Sequence, residues 1–107
     1  MNISSKSQIS VDSANAFLDL KGFKKANMEI EKDSNGVYMF LYGNLIAKIA
    51  DDKISISTAG WDTITTVSRL NALCFELFGE NRITRKAGAL MYNGQYWDGK
   101  QLIIRTL

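Results

Sequence analysis

The sequence contains no histidine, no proline and only one cysteine among its 107 residues. Without histidine, the chain cannot build a Ser-His-Asp or Cys-His catalytic site, and it offers no imidazole ligand to a metal ion. A single cysteine allows neither an intramolecular disulfide nor a zinc site made of several thiolates. No glycine-rich segment has the spacing of a phosphate-binding loop. We therefore predict a protein that is not an enzyme and that carries no metal and no cofactor.

Carboxylates are the remaining source of catalytic groups. Asp51 and Asp52 are adjacent in a predicted turn, whereas Glu29 and Glu31 alternate with apolar residues on the exposed side of a predicted strand. Both arrangements are typical of solvated side chains, although a hydrolase that uses two acids is compatible with them. We interpret these four residues as surface charges.

Long apolar segments are also missing. No apolar run approaches the roughly 20 residues that a membrane helix needs. The start of the sequence, “MNISSKSQIS”, lacks the basic and then apolar order of a secretory signal. The single cysteine fits a reducing compartment. The sequence therefore predicts a cytoplasmic protein with no membrane partner.

The net charge of +2 is too small to indicate a nucleic-acid partner by itself, but the arginines are unevenly distributed. All four lie in the second half of the chain, at Arg69, Arg82, Arg85 and Arg105. Arginine binds carboxylates and phosphates in pairs of hydrogen bonds, so we expect any binding surface in this half. The competing interpretation is that four arginines in this stretch are ordinary scatter.

The length of the chain predicts one α+β domain over residues 1–107 with a single core. Residues 1–9 are polar and are predicted to form a flexible tail. A short helix follows, with Asp12 or Ser13 as its cap and Gly22 as its stop. A longer helix is predicted over about residues 63–78, ending at Gly79. Its apolar stripe consists of Val67, Leu70, Leu73, Cys74, Leu77 and Phe78.

Alternating apolar and polar residues predict a four-stranded antiparallel meander between the two helices. Its turn signals are the segment “DSNG” and residues 43–44 and 51–52, and Asn35 and Gly36 are able to adopt positive φ angles. About three more strands follow the long helix, with a bend at residues 86–88 and a last strand in “QLIIRT”. The predicted fold is an antiparallel sheet with both helices on one face.

The segment “GWDTITTVSRLNAL” places three threonines at the start of the long helix. One interpretation is that Asp62, Thr63 or Thr65 caps the helix by accepting a hydrogen bond from a backbone amide. On a helical wheel, Thr66 faces the apolar stripe, whereas Thr65 and Arg69 point outward one turn apart. The second interpretation is therefore an anion site, in which a hydroxyl, a guanidinium and the helix amino end bind a phosphate or a partner carboxylate.

The segments “YGNLIAKI” and “GWDTITTVSRLN” also resemble a family of small proteins from bacteriophages and mobile elements. That family has the pattern Ser-Tyr-x-Thr-x-Ile/Val-Ala, followed by Gly-aromatic-aromatic-Ser-x-Thr-Thr-x-Lys-His. The matching positions are Tyr42, Ile46, Ala47, Gly60, Trp61, Thr65 and Thr66. The departures are Leu41, Asn44, Asp62, Thr63 and Arg69, and at the last of these the family has histidine.

The resemblance implies an origin in a phage or mobile element, and hence the cytoplasm of a bacterial host. It implies no activity, because the family has no settled function. Since Arg69 replaces the histidine, no histidine chemistry carries over, whereas a cationic, hydrogen-bonding role does.

We expect the chain to act by stoichiometric binding to a host protein, as an inhibitor of host or defence machinery. Aromatic residues and arginine are enriched among the residues that contribute most of the binding energy at protein interfaces. Trp97 is more typical of a core residue than of a surface. The predicted partner-binding residues are Trp61, Thr65, Arg69, Arg82 and Arg85.

The alternative prediction is binding of single-stranded nucleic acid. In “GVYMFLY”, Tyr38, Phe40 and Tyr42 are expected on one side of a strand, where bases could stack on them. Basic residues that could follow a phosphate backbone are Arg82, Arg85 and Lys86. This face is open only if neither a helix nor a second copy covers it, and covering by a second copy would give a homodimer.

Overall fold

A computed structural model describes residues 7–107 and forms two helices and nine strands from them. The helices are α1 (Gln8–Leu18) and α2 (Ile64–Phe78). The strands are β1 (Phe23–Lys25), β2 (Met28–Asp33), β3 (Gly36–Leu41), β4 (Asn44–Ala50), β5 (Lys53–Ile56), β6 (Ile83–Lys86), β7 (Ala89–Tyr92), β8 (Gln95–Tyr96) and β9 (Leu102–Thr106).

Six strands form one antiparallel sheet in the order β1-β2-β3-β4-β5-β9. The predicted meander is confirmed as strands β2 to β5, and the predicted last strand is confirmed as β9. Strand β1 was not predicted. Strands β6, β7 and β8 form a separate three-stranded sheet, because β9 passes them and pairs with β5. The α+β fold class is confirmed.

The central strand β3 shows which face of the six-stranded sheet holds the core. Val37, Met39 and Leu41 are buried in the core together with side chains of both helices. Tyr38 and Phe40 alternate with them on the opposite face and are half-buried. Both helices therefore lie on one face of the sheet, as predicted.

Helix α1 begins earlier than the sequence indicated. Its cap is Ser7, whose Oγ accepts a hydrogen bond from the amide of Ser10 at 3.4 Å, so the predicted caps Asp12 and Ser13 are wrong. Ser13 is buried within the helix, because its face with Ala14 packs into the core. The last two residues of the predicted tail are thus helical. Residues 1–6 of that tail lie outside the described residues.

Helix α2 has the ends that the sequence predicts. The Oγ1 of Thr63 accepts a hydrogen bond from the amide of Thr66 at 3.2 Å and caps the helix. Gly79 ends it with a φ of 76°, in the left-handed region that favours glycine. The centre of the apolar stripe is buried and its two ends are half-buried, as expected for a helix that packs on a sheet.

The three-stranded sheet is attached to α2 through a buried asparagine. The side chain of Asn71 accepts hydrogen bonds from the amides of Arg82 and Ile83 and donates one to the carbonyl of Ile83 at 2.8 Å. Trp97 is buried, as the sequence favoured, and it packs edge-on against Tyr92. The three-stranded sheet therefore packs against α2, and the segment after it adds Trp97 to the core.

The turn predicted at “DSNG” is confirmed, but it does not use positive φ angles. Neither Asn35 nor Gly36 has a positive φ. Instead, Asp33 Oδ1 accepts hydrogen bonds from both amides, at 2.7 and 3.0 Å, and holds a turn that needs no left-handed residue. These bonds to the ionised form lower the pKa of Asp33 from its ordinary value of 3.8.

Candidate binding cleft

Two exposed aromatic side chains flank a cleft of about 450 Å³ at the amino end of α2. We call it the Tyr42–Trp61 cleft. It is lined by Leu41, Tyr42, Asn44, Ile46, Thr58, Trp61, Thr63, Thr65 and Thr66. Five of these are positions at which the sequence matches the phage-protein pattern. The residues of two separate segments therefore meet at one site.

Tyr42 reaches the cleft because it lies in a tight turn between β3 and β4. Its φ is 50° and that of Gly43 is 78°, so both residues of the turn are left-handed, as is typical of a two-residue hairpin. The predicted alignment of Tyr42 with Tyr38 and Phe40 is therefore wrong, since β3 ends before it. The turn leaves the tyrosine 73% exposed.

Trp61 is held by a second turn, in which its amide donates a hydrogen bond to the carbonyl of Thr58 at 2.8 Å. The two residues between them, Ala59 and Gly60, have φ angles of 54° and 82°. The turn is anchored to the fold because the carbonyl of Gly99 accepts hydrogen bonds from the amide and the hydroxyl of Thr58. Trp61 is 59% exposed on this fixed base.

The threonines at the start of α2 have different roles. Thr63 is the cap, and its hydroxyl also shares a hydrogen bond of 3.0 Å with the hydroxyl of Thr66. Thr66 is buried, as predicted, while Thr65 is half-buried and borders the cleft. The capping interpretation of this segment is confirmed for Thr63.

Arg85 is held beside the cleft by Asp62, the residue that follows Trp61. Its guanidinium donates hydrogen bonds to both carboxylate oxygens of Asp62 and to the Asp62 carbonyl. The hydrogen bonds to this carboxylate raise the pKa of Arg85. The pair is exposed, so its two opposite charges stay accessible to solvent at the residue after Trp61.

Arg69 does not point outward, and that prediction is wrong. The side chain is only 8% exposed, because α1 packs against the face of α2 that carries it. Its Nη1 donates hydrogen bonds to Ser10 Oγ at 2.8 Å and Ser7 Oγ at 3.3 Å, and its Nη2 donates one to Asn27 Oδ1 at 3.2 Å. Burial lowers the pKa of Arg69. Thr65 and Arg69 therefore do not form an exposed pair.

Arg82 is separated from the cleft by the length of α2. Its guanidinium lies 3.8 Å from the ring centre of Phe78, at the carboxyl end of the helix, and its Nε lies 3.2 Å from Glu80 Oε2. Of the five predicted partner-binding residues, only Trp61, Thr65 and Arg85 are brought together.

The residues proposed for nucleic acid are not gathered on one surface. Tyr38 and Phe40 lie on the outer face of the six-stranded sheet, whereas Lys86 and the other basic residues of the β6 segment lie on the core side, beyond α2. Across the strands, Glu31 faces Tyr38 and Glu29 faces Phe40. A side-chain hydrogen bond with Glu29 and the repulsion between the two carboxylates raise the pKa of Glu31. On the other side of β3, Lys48 faces Tyr38, so charges of both signs border the aromatic pair.

Two further features of residues 7–107 bear on function. No group of three acidic or thiol side chains in this region is placed to hold a metal ion. Neither of its helices is long and apolar enough to cross a membrane.

Sequence reasoning missed part of the cleft. Ile46 and Thr58 were not predicted as site residues. Tyr42 was predicted in a strand and not in a turn. The signal for Tyr42 was the glycine after it, since a residue followed by glycine at a strand end is typical of a two-residue hairpin turn. Thr58 carries no such signal, because its position depends on Gly99 in a distant segment.

A family model described as “Kyanoviridae Gp96 protein” matches residues 6–104 of the chain. No curated protein and no solved structure matches it. The match confirms the predicted relationship at the level of a phage protein family. The short signature on which the resemblance was based, and any partner of the protein, stay predictions.

Proposed function

The chain belongs to the Kyanoviridae Gp96 protein family, and from that premise we propose that it is a phage accessory protein which binds a host protein stoichiometrically through the Tyr42–Trp61 cleft. It acts by occupying its partner and not by catalysis. The observation that carries this proposal is the pair of exposed aromatic side chains on two hydrogen-bonded turns, with an apolar cleft between them.

Exposure of both aromatics is costly unless a partner covers them. Ile64, the first residue of α2, is 84% exposed beside Trp61 and adds a third large apolar side chain to this surface. Clustered exposed apolar residues mark interaction sites more often than isolated ones do. Tryptophan and tyrosine are also the residue types that contribute most to protein interfaces.

The size and the rim of the cleft indicate what it accepts. A volume of about 450 Å³ is in the range of small-ligand pockets and holds one large apolar side chain of a partner. The hydroxyls of Thr63 and Thr65 lie at its border and can hydrogen-bond to the backbone of the inserted segment. Arg85 and Asp62 form an exposed ion pair beside this edge and offer hydrogen-bonding groups of both signs. We infer an apolar anchor residue of the partner with a polar residue near it.

Affinity capture from host lysate tests this proposal with matched variants. The tagged wild type, Trp61→Ala and Tyr42→Ala are compared with Tyr96→Ala, because Tyr42 and Tyr96 are equally exposed at 73%. We expect one stoichiometric protein to be retained by the wild type and by Tyr96→Ala, and to be lost from both cleft variants. Nuclease treatment should not change the result.

Melting temperatures of all four proteins provide the control for folding. Retention of the same protein by both folded cleft variants would contradict the proposal. Loss of the captured material after nuclease treatment would instead support the alternative of nucleic-acid binding.

A further inference from the structure

Arg69 is a buried cation whose hydrogen-bond acceptors are all neutral. They are the hydroxyls of Ser7 and Ser10 and the amide oxygen of Asn27. The Nε of Arg69 has no hydrogen-bond partner although it is buried. Charged groups in protein interiors are normally paired with an opposite charge, because taking an ion out of water is costly. This arginine therefore needs an explanation.

Residues 7–107 supply no counter-ion to Arg69. The ion pairs found among residues 7–107 join Arg82 to Glu80 and Arg85 to Asp62, and neither involves Arg69. Burial lowers the pKa of Arg69, and the phenol of Tyr42 opposes this effect. The remaining six residues of the sequence, “MNISSK”, include a lysine and no acid. These six residues therefore offer no acidic side chain to Arg69.

The location of the guanidinium adds positive potential. Its Nη1 contacts Ser7, the cap of α1, so it lies at the amino end of that helix. The amino end of a helix carries a partial positive charge, and acidic residues in the first turn usually balance it. The first turn of α1 contains no acidic residue. Two positive elements thus meet at one point with no negative group between them.

We propose that this point, the α1–Arg69 site, binds an oxyanion, namely a phosphate or a carboxylate group. The site consists of Arg69, the cap residue Ser7, Ser10 and Ser68. The hydroxyls of Ser10 and Ser68 lie 3.4 Å apart, and Ser7 is exposed, so an anion approaches from the Ser7 side. Hydrogen bonds between a guanidinium and an oxyanion are about twice as strong as neutral ones. The site shares no residue with the lining of the Tyr42–Trp61 cleft, and its test needs no host protein.

Titration of the full chain with inorganic phosphate tests the α1–Arg69 site. Sodium chloride at matched ionic strength is the reference, and sodium acetate is the second arm. We expect a saturable rise in melting temperature with phosphate that chloride does not give. A larger effect of phosphate than of acetate assigns the site to phosphate groups, and the reverse order assigns it to carboxylates.

Two variants that each remove one arginine provide the comparison. Arg69→Gln should weaken the apparent affinity for the anion at least about tenfold. Arg105→Gln changes the net charge equally, but Arg105 lies at the carboxyl end of α2, where it contacts the carbonyl of Leu77. The affinity of the Arg105→Gln variant for the anion should therefore stay unchanged. An equal loss in both variants would reflect overall charge and would overturn the proposal.

A spectroscopic readout keeps the test valid if Arg69→Gln does not fold. In nitrogen-15 NMR spectra of the wild type, phosphate should shift the Arg69 Nε–H signal and the amide signals of Ser10 and Asn27. Absence of saturable shifts at these groups, or saturable shifts only elsewhere in the chain, would show that the α1–Arg69 site does not bind oxyanions.

Discussion

At the scale of single residues, Tyr42 occupies a turn position whose backbone angle is unfavourable for a bulky side chain. A bulky residue with a positive φ is strained, and such strain clusters at functional sites. Asparagine followed by glycine is the preferred pair for this type of turn. The chain thus has a tyrosine where the backbone favours asparagine, which is expected if the ring has a binding role.

Replacement of Tyr42 by asparagine should therefore separate stability from function. We expect Tyr42→Asn to raise the free energy of unfolding by up to about 1 kcal/mol, because asparagine adopts left-handed angles at lower cost. The same variant should lose the captured host protein. Urea denaturation and affinity capture measure the two effects. A variant that is less stable and still binds would disagree with a functional role for the ring.

Arg69 marks the limit of prediction for single residues. The helical wheel of α2 alone places it opposite the apolar stripe, and on that basis it was expected in solvent. The docking of α1 decides its burial, and this docking uses Ser7, Ser10 and Asn27 from segments far away in the sequence. No local pattern carries that information. Thr66 was predicted correctly because it lies on the same side of α2 as the apolar stripe.

Among the elements, the segment before β9 fixes the turn that holds Trp61. Gly99 has a φ of 83°, and a Cβ added there would lie 2.5 Å from Thr58 Oγ1. Gly94 has the same φ and open space around it, so it is a matched control. We expect Gly94→Ala to cost about 1–2 kcal/mol through backbone strain, and Gly99→Ala to cost about 1–3 kcal/mol more. Chemical denaturation measures both, and equal losses would show that the contact with Thr58 is relaxed at little cost.

The β2–β3 hairpin should become weaker in acid because of Asp33. Its pKa in the folded state is lowered, chiefly by the amide of Asn35, and a group with a lowered pKa stabilises the fold only while it is ionised. The difference in unfolding free energy between the wild type and Asp33→Ala should be constant above the ordinary pKa of 3.8. It should shrink as the pH falls below 3.8 and through the lower pKa of the folded state.

Urea denaturation of both proteins from pH 7 to pH 2 checks this dependence. A difference that stays constant over the whole range would show that the turn does not depend on the charge of Asp33.

The elements themselves were largely readable from the sequence, and their assembly was not. Helix α2 was predicted at both ends because Thr63 and Gly79 are local signals for a cap and a stop. The meander followed from alternation and turn residues. The pairing of β9 with β5 was not predicted, since contacts between distant strands leave no local pattern. For the same reason, the three-stranded sheet was not recognised as separate.

At the scale of the whole molecule, the distribution of charge argues against the nucleic-acid alternative. The aromatic pair on the outer sheet face adjoins two glutamates and only one lysine, Lys48, and the arginines lie elsewhere, each held by its own partner. We expect no saturable binding of a labelled single-stranded oligonucleotide at physiological salt. Fluorescence anisotropy at several salt concentrations checks this. Binding that falls steeply with salt and is lost in Phe40→Ala would restore the alternative.

The two tryptophans allow the most direct test of the Tyr42–Trp61 cleft. Trp61 is exposed and Trp97 is buried, so fluorine NMR of the chain labelled with 5-fluorotryptophan gives one reporter in the cleft and one in the core. When the captured host protein is added without label, the Trp61 signal should shift and lose its sensitivity to solvent, while the Trp97 signal stays in place. If sedimentation shows that the complex forms while the Trp61 signal remains unchanged, binding through the cleft would be contradicted.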